Sequence, residues 1–266
     1  MSSYDTELIK SCIHTEWAGH PVHFCEETDS TNLWAQRLSD EGAPHGTLCV
    51  AEFQSAGRGS RGRSWTAPEG SSVMMSLLLH PEFAADRASM LTLLMGMAVA
   101  HTVKETGLDV RIKWPNDVVV SHKKICGILT EMRLDGDRIR DVVIGLGINV
   151  NTPSFPEELS DKATSLRLEA GRDFERAPLP GRVMAHFEEL YGRFLPYADL
   201  TLLREDYEDF LAGRGEPVRV LDPLGPYEGI CRGIDSRGCL LVEPEGEEMR
   251  RVIAGEVSVR GLYTYI

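Results

Sequence analysis

The chain has 266 residues, 42% of them hydrophobic and 26% charged, the composition of an ordinary globular protein. Its 28 basic and 41 acidic side chains give a net charge of −13, which excludes broad, nonspecific attachment to nucleic acid or to an anionic membrane surface. No apolar run is long enough to span a bilayer, and Met1–Glu16 carries charges where a secretion signal needs an apolar stretch. The six cysteines form no Cys-x-x-Cys pair and have no zinc-finger spacing with histidine, so they read as reduced thiols in a cytoplasmic protein.

In chain order, Thr6–Trp17 reads as a short helix and Val22–Cys25 as a strand. Asp29-Ser30-Thr31-Asn32 offers N-capping side chains to a helix over Leu33–Leu38. Thr47–Phe53 is a strand that runs into a glycine- and arginine-rich loop. Val73–Leu79, apolar except for Ser76, is a strand buried on both faces. Asp86–Thr106 is a long apolar helix behind a sheet, with Met90, Met95 and Met97 as core residues. Val110–Lys113, Val118–Val120, Ile125–Arg133 and Arg138–Leu146 follow as strands, the last two joined by a turn at Asp135-Gly136. Leu179–Phe194 and Leu200–Leu211 read as amphipathic helices. Beyond Gly213–Gly215 the pattern changes to short strands: Val218–Leu221, Gly229–Ile234, Leu240–Glu243, Arg250–Ile253 and Val257–Arg260, the signature of a small barrel.

Four clusters carry chemistry. Gly57-Arg58-Gly59-Ser60-Arg61-Gly62-Arg63-Ser64-Trp65 combines glycines, which let backbone amides approach a ligand, with guanidinium forks that match carboxylate and phosphate oxygens. It contains a literal Gly-x-Gly-x-x-Gly, but a dinucleotide fingerprint must open a helix, and Trp65–Gly70 reads as a turn. The readings left are a flap over a small anion and a solvated basic loop. Lys113-Trp114-Pro115-Asn116-Asp117 sets an amide and a carboxylate after an extended Trp-Pro step, or is a decorated turn. Lys123-Lys124-Ile125-Cys126-Gly127-Ile128-Leu129 opens an apolar strand, so Lys124 faces either a cleft or solvent. Gly145-Leu146-Gly147-Ile148-Asn149-Val150-Asn151 allows close backbone approach, and Asn149 suits either a purine edge or a turn. The eight histidines have no metal-ligand spacing.

Taken together, Asp-Ser-Thr-Asn, Gln54, Gly-Arg-Gly-x-x-Gly-Arg-x-Trp, Lys-Trp-Pro-Asn-Asp, Lys-Ile-Cys-Gly-Ile-Leu and Gly-Leu-Gly-Ile-Asn follow one another in an order that resembles the biotin protein ligases. The resemblance covers Val22–Arg260. It extends to that family's C-terminal domain through Pro217-Val218, Gly233-Ile234-Asp235, Gly238 and Gly255–Arg260. It implies an α+β fold: a mixed β-sheet packed with helices, like the catalytic domain of class II aminoacyl-tRNA synthetases and biotin ligases, plus a small SH3-like barrel. The corresponding domains are 1–212 and 213–266. It also implies an ATP-dependent ligase that makes biotinyl-5′-AMP and then biotinylates a lysine of a biotin carboxyl carrier protein.

Carried onto this sequence, the resemblance assigns Ser30, Thr31 and Gln54 to the biotin ureido ring, with Asn32 capping the same turn. Arg58, with the amides of Gly57 and Gly59, takes the carboxylate and phosphate, and Ser60 and Gly127 belong to the biotin pocket. Arg61 and Arg63 attract the ATP phosphates, and Trp65, Lys113, Asn116 and Asn149 complete the nucleotide site. Lys124 offsets charge on the reacting acyl-phosphate oxygens, and Asp117 orients or deprotonates the incoming lysine. Mg²⁺ is expected with ATP, without assigned ligands. Many relatives carry a basic residue where this chain has Ser60, so the adenylate is expected to be held less tightly here. With 28 residues before Asp29, no DNA-binding domain or repressor role is expected, and no membrane partner. A homodimer through a sheet edge is expected. A lipoate ligase should carry Arg-Arg-x-x-Gly-Gly-Gly, which is missing here. A non-catalytic adenylate sensor should lack Lys124 or Arg58, and a nicotinamide oxidoreductase rests on the glycine pattern alone.

Overall fold

A computed structural model describes residues 4–222, 225–253 and the backbone of 258–261. Seven strands form one mixed sheet: β1 (Val22–Thr28), β2 (Leu48–Gln54), β3 (Ser72–Leu79), β4 (Val110–Lys113), β5 (Asp117–Val120), β6 (Lys123–Asp135) and β7 (Arg138–Asn149). Their order is β1-β2-β3-β7-β6-β5-β4. Only β1 and β2 run parallel, and the remaining neighbours are antiparallel. The helices are α1 (Thr6–Ser11), α2 (Thr31–Asp40), α3 (Met90–Lys104), α4 (Leu166–Ala170), α5 (Pro178–Phe194) and α6 (Arg204–Phe210).

The alternation of side chains along the central strands gives the sheet two unlike faces. Leu48 and Val50 on β2, Val73, Met75, Leu77 and Leu79 on β3, and Val142, Ile144 and Ile148 on β7 point to one side. There they form the main core with α3 and α5. Twelve of the fifteen residues of α3 are buried, which is why its sequence is apolar all round rather than striped. On the other side α2 covers only part of the sheet, through a small cluster of Ala35, Cys49, Leu78 and Val143. Next to that cluster the same face carries small or polar positions: Ser76, Gly127, Gly145 and Gly147. Register pairs Cys49 with Ser76, Ser76 with Gly145 and Gly127 with Gly147, so these residues are contiguous.

The C-terminal unit is a five-stranded antiparallel sheet of β8 (Pro217–Leu221), β9 (Tyr227–Ile234), β10 (Leu240–Glu243), β11 (Arg250–Val252) and β12 (Ser258–Gly261), in the order β11-β10-β9-β8-β12. It is hooked to the larger unit: Trp114 Nε1 donates to the carbonyl of Gly238 at 3.0 Å. A side chain at Gly238 would meet Leu93, Leu200 and Met90 within 3.4 Å. Ile234 N donates to the buried Glu208 carboxylate at 3.0 Å.

Several boundaries differ from expectation. The first helix stops at Ser11, and beyond it the amides of Glu16, Trp17 and Ala18 go to Glu188 of α5 at 2.8–2.9 Å rather than to helix carbonyls. Those three N–H bonds also hold the Glu188 carboxyl below its ordinary value, against the opposing effect of burial. The second helix starts earlier, at Thr31, and the third starts later, at Met90, after a separate turn at Ala85–Arg87. The sixth helix begins at Arg204, since Leu200 N bonds Ser236 O in the C-terminal unit. The strand expected over Arg138–Leu146 runs on to Asn149, so the whole Gly-Leu-Gly-Ile-Asn motif lies within β7. Gly255, Glu256 and Val257, used above for the family resemblance, lie outside the described residues.

Candidate active site

The exposed half of the second sheet face is a cleft lined by Thr31, Asn32, Gln54, Arg58, Gly59, Ser60, Trp65, Asn116, Lys124, Gly127, Ile128, Leu129, Gly145, Leu146 and Gly147. Its base is glycine because nothing larger fits. A Cβ at Gly145 would lie 2.8 Å from Asn32 Cγ, and one at Gly147 would lie 2.6 Å from the Trp65 indole.

The wall is the start of α2. Ser30 occupies the N-cap position but its side chain makes no capping bond, so its hydroxyl is not committed to the helix. Thr31 gives both its amide, at 2.8 Å, and its hydroxyl, at 3.1 Å, to Gln54 Oε1. That fixes the orientation of the Gln54 amide, whose Nε2 lies toward Gly57. Ser76 Oγ, fully buried, lies 2.7 Å from Thr31 Oγ1 and 2.6 Å from Asn32 Oδ1. Asn32 does not cap the turn as expected. It lies inside the helix, and its Nδ2 donates to Leu129 O at 3.2 Å and to Glu131 Oε2 at 2.9 Å. Outside this wall, Arg37 bonds Asp29 at 2.8 Å through two nitrogens and holds that carboxyl well below the usual carboxylate range.

Lys124 reaches the cleft through a β-bulge. The pairing of β5 with β6 steps from Val118–Cys126 to Val119–Lys124, leaving Ile125 as an extra residue. Without that insertion, strict alternation would put Lys124 on the side of Cys126 and Ile128, which are buried in the main core. With it, the lysine lies over Gly127, where a Cβ would be 2.8 Å from Nζ. Its ammonium is 2.5 Å from Asp117 Oδ1 and 5.8 Å from the centre of the Trp65 ring. The backbone of Lys124 is zipped to the 162–164 segment by Lys124 N to Lys162 O at 2.7 Å and Thr164 N to Lys124 O at 2.9 Å.

The arginine-rich loop folds as a miniature hairpin, not as a helix opening, which removes the dinucleotide reading. Gly59 N bonds Arg63 O at 2.7 Å and Trp65 N bonds Gly57 O at 2.9 Å, with Arg61 at φ 58°. It brings Arg58 to the cleft mouth, where the guanidinium bonds Glu131 at 2.7 and 3.3 Å. It also lays the Trp65 indole into the cleft, with Nε1 buried and unpartnered among the described residues.

The structure thus gathers Thr31, Asn32, Gln54, Arg58, Gly59, Ser60, Trp65, Asn116, Lys124 and Gly127 around one cavity, with Asp117 held beside Lys124. Ser30 and Gly57 stand one residue outside its lining. The expected nucleotide residues are less convergent. Arg61 and Arg63 are exposed, and Arg63 folds back onto Ser60, donating to its carbonyl at 3.2 Å and its hydroxyl at 3.0 Å. Asn149 is buried and donates to Thr164 O at 3.1 Å. Asn116 lines the cleft but spends Nδ2 on Ile128 O at 3.0 Å. Lys113, on β4, is not among the lining residues but pairs with Asp117 across β4 and β5. Ser76 and Glu131 were not anticipated. Their signals were a lone hydroxyl in the apolar Val73–Leu79 run and a carboxylate on the cleft strand.

Comparison with known proteins defines the class first. Residues 24–149 match the Biotin/lipoate A/B protein ligase family, and residues 214–260 match the Biotin protein ligase C terminal domain. The bifunctional ligase/repressor BirA of Bacillus subtilis (strain 168) is 37% identical over 254 residues, covering 94% of this chain and 78% of that protein. The biotin--[acetyl-CoA-carboxylase] ligase of Paracoccus denitrificans is 32% identical over 248 residues, covering 88% of this chain and 98% of that protein. The solved structure of the biotin protein ligase from Aquifex aeolicus in complex with biotin and ATP superposes with a TM-score of 0.79 at 32% identity, covering 91% of this chain and 99% of that one. The chain belongs to the biotin protein ligase family.

Proposed function

We propose that this protein is an ATP-dependent biotin protein ligase that activates biotin as biotinyl-5′-AMP and transfers it to a lysine of a biotin carboxyl carrier protein. The observation that carries the reading is the convergence of Arg58 and Lys124 on one cleft between the Thr31–Gln54 wall and a glycine base. The ureido ring of biotin offers a carbonyl acceptor and two N–H donors, which suits a wall of hydroxyls and amides. In the first step the biotin carboxylate attacks the α-phosphorus of ATP, forming the acyl-phosphate bond as the bond to pyrophosphate breaks. Two anions must meet, so preorganised cations supply most of the stabilisation. Arg58 would hold the carboxylate and phosphate oxygens, and Lys124 would offset the charge that develops on them. In the second step the carrier amine attacks the acyl carbon and AMP leaves. Asp117, beside Lys124, would orient that amine or take its proton.

Among the described residues no group of three or more His, Cys, Asp or Glu side chains is placed to hold a metal. Mg²⁺ would enter with the triphosphate, whose oxygens supply ligands to it. The split into 1–212 and 213–266 is supported by backbone bonds on either side of it: Ala212 N still bonds Ile112 O on β4, whereas Gly215 N bonds Cys231 O on β9. A homodimer would form along a sheet edge, for which β1 is the candidate because the β4 edge already takes Ala212 N at Ile112 O. No helix among the described residues is long and apolar enough to cross a membrane. The net charge of −13 supports a ligase without a DNA-binding role, and the free cysteines support a cytoplasmic one.

The test is transfer of labelled biotin to a biotinyl carrier domain, with and without ATP, and with lipoate as competitor. ATP-dependent labelling that lipoate does not suppress is the expected result. ATP-independent labelling, or preference for lipoate, overturns the proposal.

A further inference from the structure

Glu131 is the only carboxylate bonded directly to the lid arginine among the described residues, and it also touches the wall of the cleft. Its Oε1 accepts from Arg58 at 2.7 Å. Its Oε2 accepts from Arg58 at 3.3 Å and from Asn32 at 2.9 Å. It lies on β6 on the same face as Gly127 and Leu129, so its backbone belongs to the sheet and not to the lid. The guanidinium edge that Glu131 occupies, formed by both terminal nitrogens, is the edge that binds a carboxylate or phosphate two oxygens at a time. A ligand anion and Glu131 cannot both take that edge, and two carboxylates placed side by side repel. The pair is also open to exchange, with side-chain exposures of 42% and 21%.

We infer that Glu131 is a positioning residue with a specificity role. It holds Arg58 across the mouth of the cleft, and a ligand anion must displace it to take the guanidinium edge. The inference rests on the ligase reading and deepens it. Neutral molecules shaped like biotin would leave the Arg58–Glu131 pair intact, so the lid would discriminate for charge before any chemistry occurs. Glu131 sets the threshold because it is a standing competitor for the same guanidinium.

The experiment compares wild type with Glu131→Gln, which keeps the shape and an acceptor for Asn32, and with Glu131→Asp, which keeps the charge on a shorter stem. Calorimetry measures binding of biotin and of biotin amide, whose carboxylate is replaced by a neutral group. Trypsin cleavage after Arg58 in the ligand-free protein reports release of the lid. The expected result for Glu131→Gln is about threefold tighter binding of biotin, the scale of a partly exposed ion pair. Biotin amide affinity should be unchanged and cleavage after Arg58 faster, with Glu131→Asp shifting the same readouts in the same direction. Equal weakening of both ligands would make Glu131 a permanent support and overturn the inference. Tighter biotin binding without faster cleavage would reduce Glu131 to a background charge and overturn it too. Failure of wild type to bind biotin at all would instead defeat the ligase reading, and this inference with it.

Discussion

Replacing Gly147 with alanine should unseat the lid without unfolding the protein. A Cβ there would lie 2.6 Å from Cζ2 and Nε1 of Trp65, well inside ordinary contact. The strand cannot retreat, because Gly147 is paired with Met74 on one side and Gly127 on the other. The indole must therefore leave the cleft. A tryptophan buries about 200 Å² when fully enclosed. Trp65 is partly buried, so losing roughly half of that at ~25 cal/mol/Å² removes about 2–3 kcal/mol from the closed lid. Alanine in a strand recovers about 0.5–1 kcal/mol relative to glycine, through the unfolded chain. Global stability should change little, while the closed lid should lose about 30- to 150-fold of its preference over the open one. Limited trypsin digestion reads this directly, since the loop contains Arg58, Arg61 and Arg63. Cleavage should accelerate by that factor in Gly147→Ala. Adding the change to a Trp65→Ala background should then do almost nothing, because the two act through one contact. Unaltered cleavage in Gly147→Ala, or a full additional effect on the Trp65→Ala background, would refute the packing argument.

Lys124→Ala should lower biotin-dependent pyrophosphate release about 10²- to 10³-fold, the scale of losing one preorganised charge, with unchanged circular dichroism. Turnover near that of wild type would remove Lys124 from the chemistry. Ser60→Arg restores a cation to the lid but breaks the Arg63–Ser60 Oγ bond. It should slow release of biotinyl-adenylate, and equal off-rates would show that Ser60 does not set retention. Burial holds the imidazoles of His45, His80 and His101 below their usual value of 6.5, with the neighbouring His186 ring and the Lys104 ammonium adding to the effect at His101. The unfolded chain therefore binds these protons first, so stability is whole above pH 6.5 and falls as the pH drops below it. Urea titrations at pH 7.5 and 5.5 should show this loss, and it should be smaller in His101→Gln. An identical loss in His101→Gln would exclude that residue as a source.

The fold was legible where pattern and period agreed. The apolar run of β3 and the apolar length of α3 announced a doubly covered strand and a buried helix, and the shift to short strands after Gly213 announced the second unit. The site was legible as motifs, because glycines and arginines crowd into a few positions around Arg58, Lys124 and Gly147. What the sequence hid was direction. No local signal shows that Ile125 is a bulge, and that single insertion sends Lys124 to the cleft instead of the core. The partners of Arg58 and Asn32 were hidden for the same reason. Glu131 is 73 residues from one and 99 from the other, and only strand pairing brings them together. The resemblance assigns Arg63 and Asn149 to the nucleotide, and only the fold shows that their side chains also bond the carbonyls of Ser60 and Thr164.

The two faces of the central strands share one backbone. Each residue whose missing side chain hollows out the ligand site sits next to one whose large side chain is locked among α3 and α5. The recess is therefore braced from behind by the most tightly filled part of the molecule, and it keeps its shape whether or not anything lies in it. Adaptation to a bound molecule falls to the hairpin in front. Changes in that hairpin can retune capture and release, whereas enlarging the recess would mean rebuilding the interior.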